Sequence, residues 1–381
     1  MKVLIYQPRI SYYVGGAEMV ALQHAKYLAE QGHQVTVLTS RADFLPESQH
    51  FMGFKLANPL VEFKYIEIPE ALRWVYEVKP GVDWKRWDLE SIYFAKLALA
   101  QFPSEPYDAL ILHGVMDTLG VPAGYQTKTF LHLHGFPEHT NYAHELALSE
   151  PVKLIAVSQL VAQKWNELLG LSNIVVSTNG IDTKMFAPDV QVGKRYDFVF
   201  VGRLLEVKGA QYAIAALDKL RSMGVVANLA IAGEGPYATE LKELVDRLGL
   251  ASQVDWLGQV PNHELRQLYN SAKVSLVPAF SRDGVATTLL EPAACGVPSI
   301  STLGSSMTEF IEDGVTGMLV LPQNVEALAD AMMKLLSDEQ LRERLGNQAY
   351  QKIVAGWSWE AKIKDLERIY FGVNEVSEMV R

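Results

Sequence analysis

The sequence of 381 residues contains one cysteine, Cys295, so no disulfide can form within the chain, which fits a reducing compartment. Cys295 lies among small residues and is expected to be a buried apolar side chain rather than a nucleophile. Apolar runs of about 18 residues, the length that a membrane span needs, are absent. Positive charge is scarce, with 34 Lys and Arg against 44 Asp and Glu. This acidic balance disfavours nucleic acid as a partner.

Two signatures of common enzyme classes are also missing. The glycine loop at Val14–Glu18 lacks the Gly-x-Gly-x-x-Gly spacing of dinucleotide-binding oxidoreductases, which disfavours that class. With one cysteine and no metalloprotease helix motif, a zinc site is not expected, although histidines are concentrated in one region. These histidines are His113, His132, His134, His139 and His144.

The order of apolar segments predicts two α/β domains, each with a parallel sheet. A strand at Val3–Gln7, a glycine loop, a helix at Ala17–Gln31 and a strand at Val35–Leu38 form a βαβ unit. A second series of the same kind begins at Phe198, after an aperiodic linker. The domains are expected at 1–188 and 189–364, with a C-terminal helix at about 365–381 packing on the first. Ligands of such folds bind beyond the carboxyl ends of the strands, which are expected to face a cleft.

A pair of cations follows the first strand of the second domain. Arg203 and Lys208 lie five residues apart on the loop between that strand and a helix. A diphosphate is bound at such a position by positive charge and exposed N–H groups. Taken alone, the pair is equally consistent with an ordinary solvated loop.

A pair of carboxylates surrounds a later helix start. Asp283 and Glu291 are eight positions apart, with Asp283 in a loop and Glu291 on the helix that follows. The helix start offers free N–H groups to a phosphate, and Glu291 can accept hydrogen bonds from ribose hydroxyls. Alternatively, Asp283 caps the helix and Glu291 is a surface charge. Gly284 and Gly296 favour a close approach of the backbone to a ligand.

Taken together, the motifs resemble those of the retaining glycosyltransferases of family four, which have the two-domain GT-B fold. The resemblance covers nearly the whole chain and rests on motifs that occur in the family's order. They are Gly15–Glu18, His132–Gly135, Asn179–Asp182 with Phe186, Gly202-Arg203 with Lys208-Gly209, Gly233–Pro236, and the two acids. The family motif has two glutamates, so Asp283 departs from it.

The resemblance implies a role for each matching residue. Arg203 and Lys208 would bind the diphosphate and stabilise the leaving nucleotide, Asp283 would hold the sugar, and His134 would contact it from the first domain. The remaining donor-binding positions implied are Gly16, Gly202, Gly233, Glu234, Gly258, Val260, Gly284, Val285, Ala286, Thr287, Thr288, Leu289 and Glu291.

The reaction implied is hexose transfer with retention, from a nucleoside diphosphate sugar to a glycan or lipid-linked acceptor. UDP-glucose is the favoured donor, and no cofactor is expected. The chain has no Asp-x-Asp, the usual clamp for Mg²⁺ or Mn²⁺, so metal-independent transfer is expected. A cytoplasmic enzyme of envelope or extracellular polysaccharide assembly is implied, and peripheral contact with the plasma membrane is left open. A non-catalytic nucleotide-sugar-binding protein is the alternative.

Fewer sequence features indicate where the acceptor binds. The stretch from Tyr65 to Phe102 looks like an insert and contains three of the seven tryptophans, among them Trp84 and Trp87. Tryptophan beside Lys and Arg suits stacking on sugar rings or a membrane interface. A helical hairpin that buries its aromatic side chains on the domain is the other interpretation. Trp84 and Trp87 are thus a hypothesis for acceptor binding.

Overall fold

The structure, a computed structural model, describes residues 1–13, 15–76, 84–137, 152–172, 174–280 and 284–372, with the backbone alone described at 84–86 and 126. The chain divides into two compact units. The predicted domain boundary, between 188 and 189, falls within the second unit, and the C-terminal segment from Ile363 belongs to the first. The first unit comprises Met1–Val157, Val161–Ser177 and Ile363–Arg381, and the second comprises Ser158–Leu160 and Thr178–Lys362.

The first unit is built on a parallel sheet of seven strands in the order β3-β2-β1-β4-β5-β6-β7. Apart from Lys2, the central strands β1 and β4 are apolar and buried because helices cover both faces of a parallel sheet. The strands are β1 Lys2–Tyr6, β2 Gln34–Arg41, β3 Val61–Glu67, β4 Ala109–Leu112, β5 Thr129–Leu133, β6 Lys153–Ala156 and β7 Val175–Val176. The helices of this half are α1 Gly16–Glu30, α2 Gln49–Ala57, α3 Arg73–Tyr76, α4 Trp84–Gln101 and α5 Gln159–Leu169.

The second unit repeats the design with a parallel sheet of six strands in the order β10-β9-β8-β11-β12-β13. The strands are β8 Tyr196–Val201, β9 Leu229–Ala232, β10 Val254–Gly258, β11 Ala272–Val277, β12 Ser299–Thr302 and β13 Met318–Val320. The helices are α6 Ala210–Ser222, α7 Ala238–Leu248, α8 Asn262–Asn270, α9 Thr287–Ala294, α10 Val325–Ser337, α11 Glu339–Gly356 and α12 Trp359–Phe371, of which α12 ends in the first unit. Short 3₁₀ turns lie at Glu70–Leu72, Val115–Gly120, Gln126–Lys128, Glu206–Lys208 and Ser306–Glu309.

Two α/β units, each built on a parallel sheet, confirm the predicted fold class. The interpretation of Tyr65–Phe102 as an insert is wrong, because Tyr65 lies in β3 and α4 belongs to the connection from β3 to β4. The strand β3 escaped prediction because most of its residues are only partly buried or exposed, so its apolar signal is weak. The polar helix α8 and the short strand β13 were missed for the same kind of reason.

Each sheet has one point where the strand order reverses. In the first unit this topological switch point lies between β1 and β4, and in the second it lies between β8 and β11. The loops after the two strands at a switch point diverge to opposite sides of the sheet and leave a crevice, where doubly wound proteins bind ligands. Gly16, Arg203 and Lys208 follow strands at these switch points. Other predicted residues follow neighbouring strands, such as His134 after β5 and Gly233 after β9.

Candidate active site

Two glycine-containing loops of the second unit meet backbone to backbone. The Gly202 N–H donates to the carbonyl of Ala232 at 3.0 Å, and the Leu204 N–H donates to that of Glu234 at 2.8 Å. A Cβ on Gly233 would lie 1.9 Å from the Gly202 carbonyl oxygen, so no larger residue fits there. Direct backbone contacts therefore hold the loops after β8 and β9 together.

The turn at the end of β10 is hydrogen-bonded to the loop after β9. The Gly233 N–H donates to the Gly258 carbonyl at 2.7 Å, and the exposed Glu234 side chain reaches the vicinity of Gly258. Val260, two residues on, is half-buried. The structure thus brings together Gly202, Gly233, Glu234 and Gly258.

The loop that carries the two cations lies against the loop after β11. Gly209 has a φ of +80°, and a Cβ there would lie 2.2 Å from the Pro278 carbonyl oxygen. The Phe280 N–H donates to the carbonyl of Val207 at 3.0 Å. Lys208 is half-buried and Arg203 is exposed on this loop. The cations therefore lie at the switch point, beside the loop that leads to α9.

No side chain in the described part of the chain caps the start of helix α9. Its N-cap residue is Ala286, so no hydroxyl or carboxylate of that residue occupies the first N–H groups, which have no partner within a helix. Thr287 is exposed and Thr288 half-buried, whereas Val285 and Leu289 belong to the core. Any ligand contact of Val285 or Leu289 would therefore be through the backbone. Gly284 is buried, and Asp283 lies outside the described residues.

Glu291 is buried within α9 and is not a surface charge. The Tyr269 hydroxyl donates to its Oε2 at 2.6 Å, and the Thr287 side chain also hydrogen-bonds to it. Burial raises the pKa of Glu291, while these two hydrogen bonds lower it. Tyr269, on α8, was not predicted, since nothing in the sequence links it to a residue 22 positions away.

At the switch point of the first unit, the chain passes from β1 through a loop to α1. Gly15 is the N-cap of α1, and its N–H donates to the Glu18 carboxylate at 3.1 Å. Gly16 is exposed, and a Cβ there would meet nothing within 4 Å. Gly16 is therefore exposed and uncrowded at the first position of α1.

A buried charged cluster holds this loop and was not anticipated from the sequence. The Arg9 guanidinium donates to the Trp87 carbonyl at 2.7 Å and to the Ser91 hydroxyl at 2.9 Å, and its Nε lies 2.9 Å from Glu90. Burial lowers the pKa of Arg9, but the surrounding carboxylates and Tyr12 together raise it above its ordinary value. Burial raises the pKa of the nearby Asp117 to about 7.

Trp87 takes part in that cluster with its ring. The Arg9 guanidinium lies 5.4 Å from the ring centroid, and the Tyr13 ring lies 5.6 Å away, tilted. The half-buried Trp87 therefore anchors α4 to the loop after β1. The side chain of Trp84 lies outside the described residues.

His134 follows β5 and is hydrogen-bonded to His113, which follows β4, with 2.9 Å between His134 Nε2 and His113 Nδ1. The rings of His24 and His132 complete a cluster of four. The sequence showed the alternation of His132 and His134, but not that His24 of α1 would join them. Burial lowers the pKa of His134 to about 4.

Neither a metal-binding group nor a membrane span is found in the described part of the chain. No three or more His, Cys, Asp or Glu side chains are grouped there so that they could hold a metal ion, the histidine cluster included. No helix in that part combines the length and apolar character needed to cross a bilayer. His139 and His144 lie outside the described residues.

The comparisons with known proteins agree with this architecture. The model of glycosyltransferase family 4 matches residues 14–185, and that of glycosyl transferases group 1 matches residues 182–352. An uncharacterized glycosyltransferase of Methanocaldococcus jannaschii is 26% identical over 96% of this chain and 95% of its own length. A GDP-mannose-dependent alpha-(1-6)-phosphatidylinositol monomannoside mannosyltransferase of Mycolicibacterium smegmatis is 30% identical over 52% of this chain and 56% of its own length.

The fold has solved counterparts. Anabaena HepE, determined in complex with UDP and with UDP-glucose, superposes with a TM-score of 0.76 at 18% identity, over 98% of this chain and 100% of that one. Two parallel-sheet α/β units are the GT-B fold, and the matching family models make the chain a glycosyltransferase of that class. More closely, the chain belongs to the family-4 type of these enzymes, since the two matching models together account for residues 14–352.

Proposed function

We propose that this chain is a retaining glycosyltransferase that moves a hexose from a nucleoside diphosphate sugar to a glycan or lipid-linked acceptor without a metal or other cofactor. UDP-glucose is the favoured donor. The observation that carries the proposal is the packing at the switch point of the second unit. There the contact of Gly209 with Pro278 holds the loop of Arg203 and Lys208 beside the loop that leads to helix α9, whose N-cap residue is Ala286.

Those groups supply what a sugar diphosphate needs. The cations and the first N–H groups of α9 balance the negative charge that grows on the phosphate as the sugar leaves. Glu291, four residues after Thr287, accepts hydrogen bonds from the ribose hydroxyls. The exposed Glu234 and the neighbouring Gly258 border the base. Asp283 and His134 are the proposed contacts of the sugar, and Gly16 is a proposed contact of the phosphates. Positive charge from Arg203 and Lys208 takes the place of a divalent ion.

Retention requires the acceptor to attack on the face from which the diphosphate leaves. In the proposed step the bond from the anomeric carbon to the phosphate oxygen breaks through an oxocarbenium-like state, and a bond to the acceptor oxygen forms. The leaving phosphate takes the acceptor proton. Trp87, against Tyr13 and Arg9, is the proposed edge of the acceptor site.

The relatives support a choice between two donors. HepE binds UDP and UDP-glucose, which favours a uridine donor. The mycobacterial relative uses GDP-mannose and acts on a phosphatidylinositol glycolipid, so GDP-mannose with a lipid-linked acceptor is the second pairing to test.

The test is transfer by the purified chain in EDTA, with each donor and simple glycans or glycolipids as acceptors. We expect nucleotide release with UDP-glucose, and NMR of the product should show the donor's anomeric configuration. Lys208→Met should reduce the rate at least tenfold, since one charge-assisted contact to phosphate is lost. Lys219→Met, at an exposed position on α6, is the matched control and should leave the rate unchanged.

Three outcomes would contradict parts of the proposal. Dependence of transfer on Mg²⁺ or Mn²⁺ would remove the metal-independent mechanism, and an inverted product would remove retention. Nucleotide binding without transfer to any acceptor would favour the non-catalytic binding protein.

A further inference from the structure

Four histidine rings are packed together at the switch point of the first unit. The His113 ring lies 5.2 Å, centroid to centroid, from the rings of His24, His132 and His134, and the His24 ring lies 4.8 Å from that of His132. His24, His113 and His132 are buried, whereas His134 is partly accessible. The last ring is thus the one that can meet a ligand.

These imidazoles are neutral at physiological pH. Burial lowers the pKa of His24 to about 3 and that of His134 to about 4, and it lowers the pKa values of His113 and His132 well below their ordinary range. A neutral imidazole has one N–H donor and one bare acceptor nitrogen. Which nitrogen of His134 carries the proton therefore decides whether it donates to a ligand or accepts from it.

The hydrogen bond between His113 and His134 restricts the choice. If His134 donated from Nε2, the proton of His113 would have to be on its own Nε2, which is buried and has no hydrogen-bond partner among the described residues. If His113 donates from Nδ1 instead, its buried Nε2 carries no proton and is an acceptor without a partner. Buried donors without an acceptor are the rarer and costlier defect, so His113 is the donor.

We propose that His113 is a positioning residue that holds His134 as its Nδ1–H tautomer, so that His134 presents an N–H donor to an oxygen of the sugar donor. His134 is partly accessible, and its Nδ1 atom makes no hydrogen bond within the described part of the chain. The inference rests on the proposed function, because that function makes His134 a ligand contact.

The direct test is nitrogen NMR of the full chain labelled with ¹⁵N-histidine, with the His134 signals assigned by their loss in His134→Asn. In the wild type we expect a protonated Nδ1 and a bare Nε2 on His134. The opposite tautomer, or a mixture of the two, would overturn the proposal. This result does not depend on activity, so it stands apart from any failure of the proposed function.

Variants connect the tautomer to turnover. His113→Asn keeps an N–H near the position of Nδ1 and should retain the tautomer, whereas His113→Leu should release it and lower kcat roughly fivefold or more with little change in the KM of the acceptor. At position 134, Asn places its amide where Nδ1 lies and Gln places it nearer Nε2, so His134→Asn should be the more active variant. Equal activity of the two, or unchanged kcat in His113→Leu, would contradict the proposal.

A packing control separates positioning from simple destabilisation. His24→Phe changes the same cluster but leaves the His113–His134 hydrogen bond in place. It should lower the thermal midpoint while the NMR signature of His134 persists. If His24→Phe altered the tautomer and kcat as much as His113→Leu does, the effect would belong to packing and not to His113.

Discussion

Removing one hydroxyl from the buried contact between Tyr269 and Glu291 should weaken both the fold and the binding of nucleotide. Tyr269 is fully buried and its hydroxyl donates to Glu291 Oε2 at 2.6 Å, while Glu291 itself is only 7% exposed. Tyr269→Phe keeps the ring, which packs against Phe186, and deletes only the donor. The carboxylate oxygen is then left without that partner in a largely buried position.

The magnitude follows from the kind of bond that is lost. A hydrogen bond to a charged group contributes about 1.5–3 kcal/mol, and leaving the carboxylate oxygen unpaired adds to the loss. A loss of about 2 kcal/mol lowers the thermal midpoint of a unit of this size by roughly 4–8 °C. Nucleotide affinity should fall as well, because Glu291 loses the contact that orients it toward the ribose.

The pH dependence gives the sharper test. Burial already raises the pKa of Glu291, and the Tyr269 hydrogen bond opposes that effect. Without the Tyr269 hydroxyl, the pKa of Glu291 rises further. The ionised carboxylate, which accepts hydrogen bonds from the ribose, then forms only at higher pH. The affinity deficit of Tyr269→Phe for UDP should therefore be largest at the low end of a pH series and should shrink as pH rises.

Calorimetric titration of UDP between pH 5.5 and 8.5 would measure this. Tyr196→Phe is the matched control, because it removes a hydroxyl bonded to Asp255 from a buried tyrosine at the opposite end of β8 from Gly202. The control should lose some stability and no affinity. Equal UDP affinity of Tyr269→Phe and wild type across the series would refute a ribose contact oriented through Glu291.

Two further predictions concern the loops at the switch points. Gly209→Ala should destabilise the second unit by more than about 1 kcal/mol and reduce nucleotide affinity, because its Cβ would lie 2.2 Å from the Pro278 carbonyl oxygen. The control is Gly224→Ala, which has a similar φ but open space around the Cβ, and it should show backbone strain of about 1 kcal/mol and unchanged affinity. Denaturant titration measures the stability and UDP titration measures the affinity. Similar losses in both would show that the contact with Pro278 does not matter. Because His134 has a folded pKa of about 4, below the ordinary 6.5, the folded state binds fewer protons than the unfolded one and loses stability as pH falls below 6.5. Scanning calorimetry should show a smaller decline from pH 7 to pH 5 for His134→Asn than for wild type; parallel declines would contradict the lowered pKa of His134.

Local sequence was enough to predict most elements of both sheets. The strand predicted at Val3–Gln7 and the helix predicted at Ala17–Gln31 each lie within one residue of the observed bounds, β1 Lys2–Tyr6 and α1 Gly16–Glu30. Their apolar periodicity and turn residues are short-range signals that tertiary contacts reinforce. Partly exposed β3 and polar α8 carry a weaker apolar signal, and prediction failed there.

The contacts that orient the site could not be predicted in the same way. Arg9 and Glu90, or Tyr269 and Glu291, are far apart in the chain, and a single sequence contains nothing that pairs them. The same holds for His24, which reads as an ordinary residue of α1. Burial, and with it the pKa of Asp117 or Glu291, follows from packing and not from residue type.

The sequence by itself determined the alternation of strands and helices, the positions of the glycines and charged residues after particular strands, and hence the two-domain α/β class, because these depend on local periodicity and turn chemistry. Only the tertiary structure decided which strands flank each switch point, that Gly209 rests on Pro278, and that Glu291 is buried under Tyr269. Strand order and burial arise from contacts between distant segments, so the chemistry of each side chain becomes definite only when those segments pack.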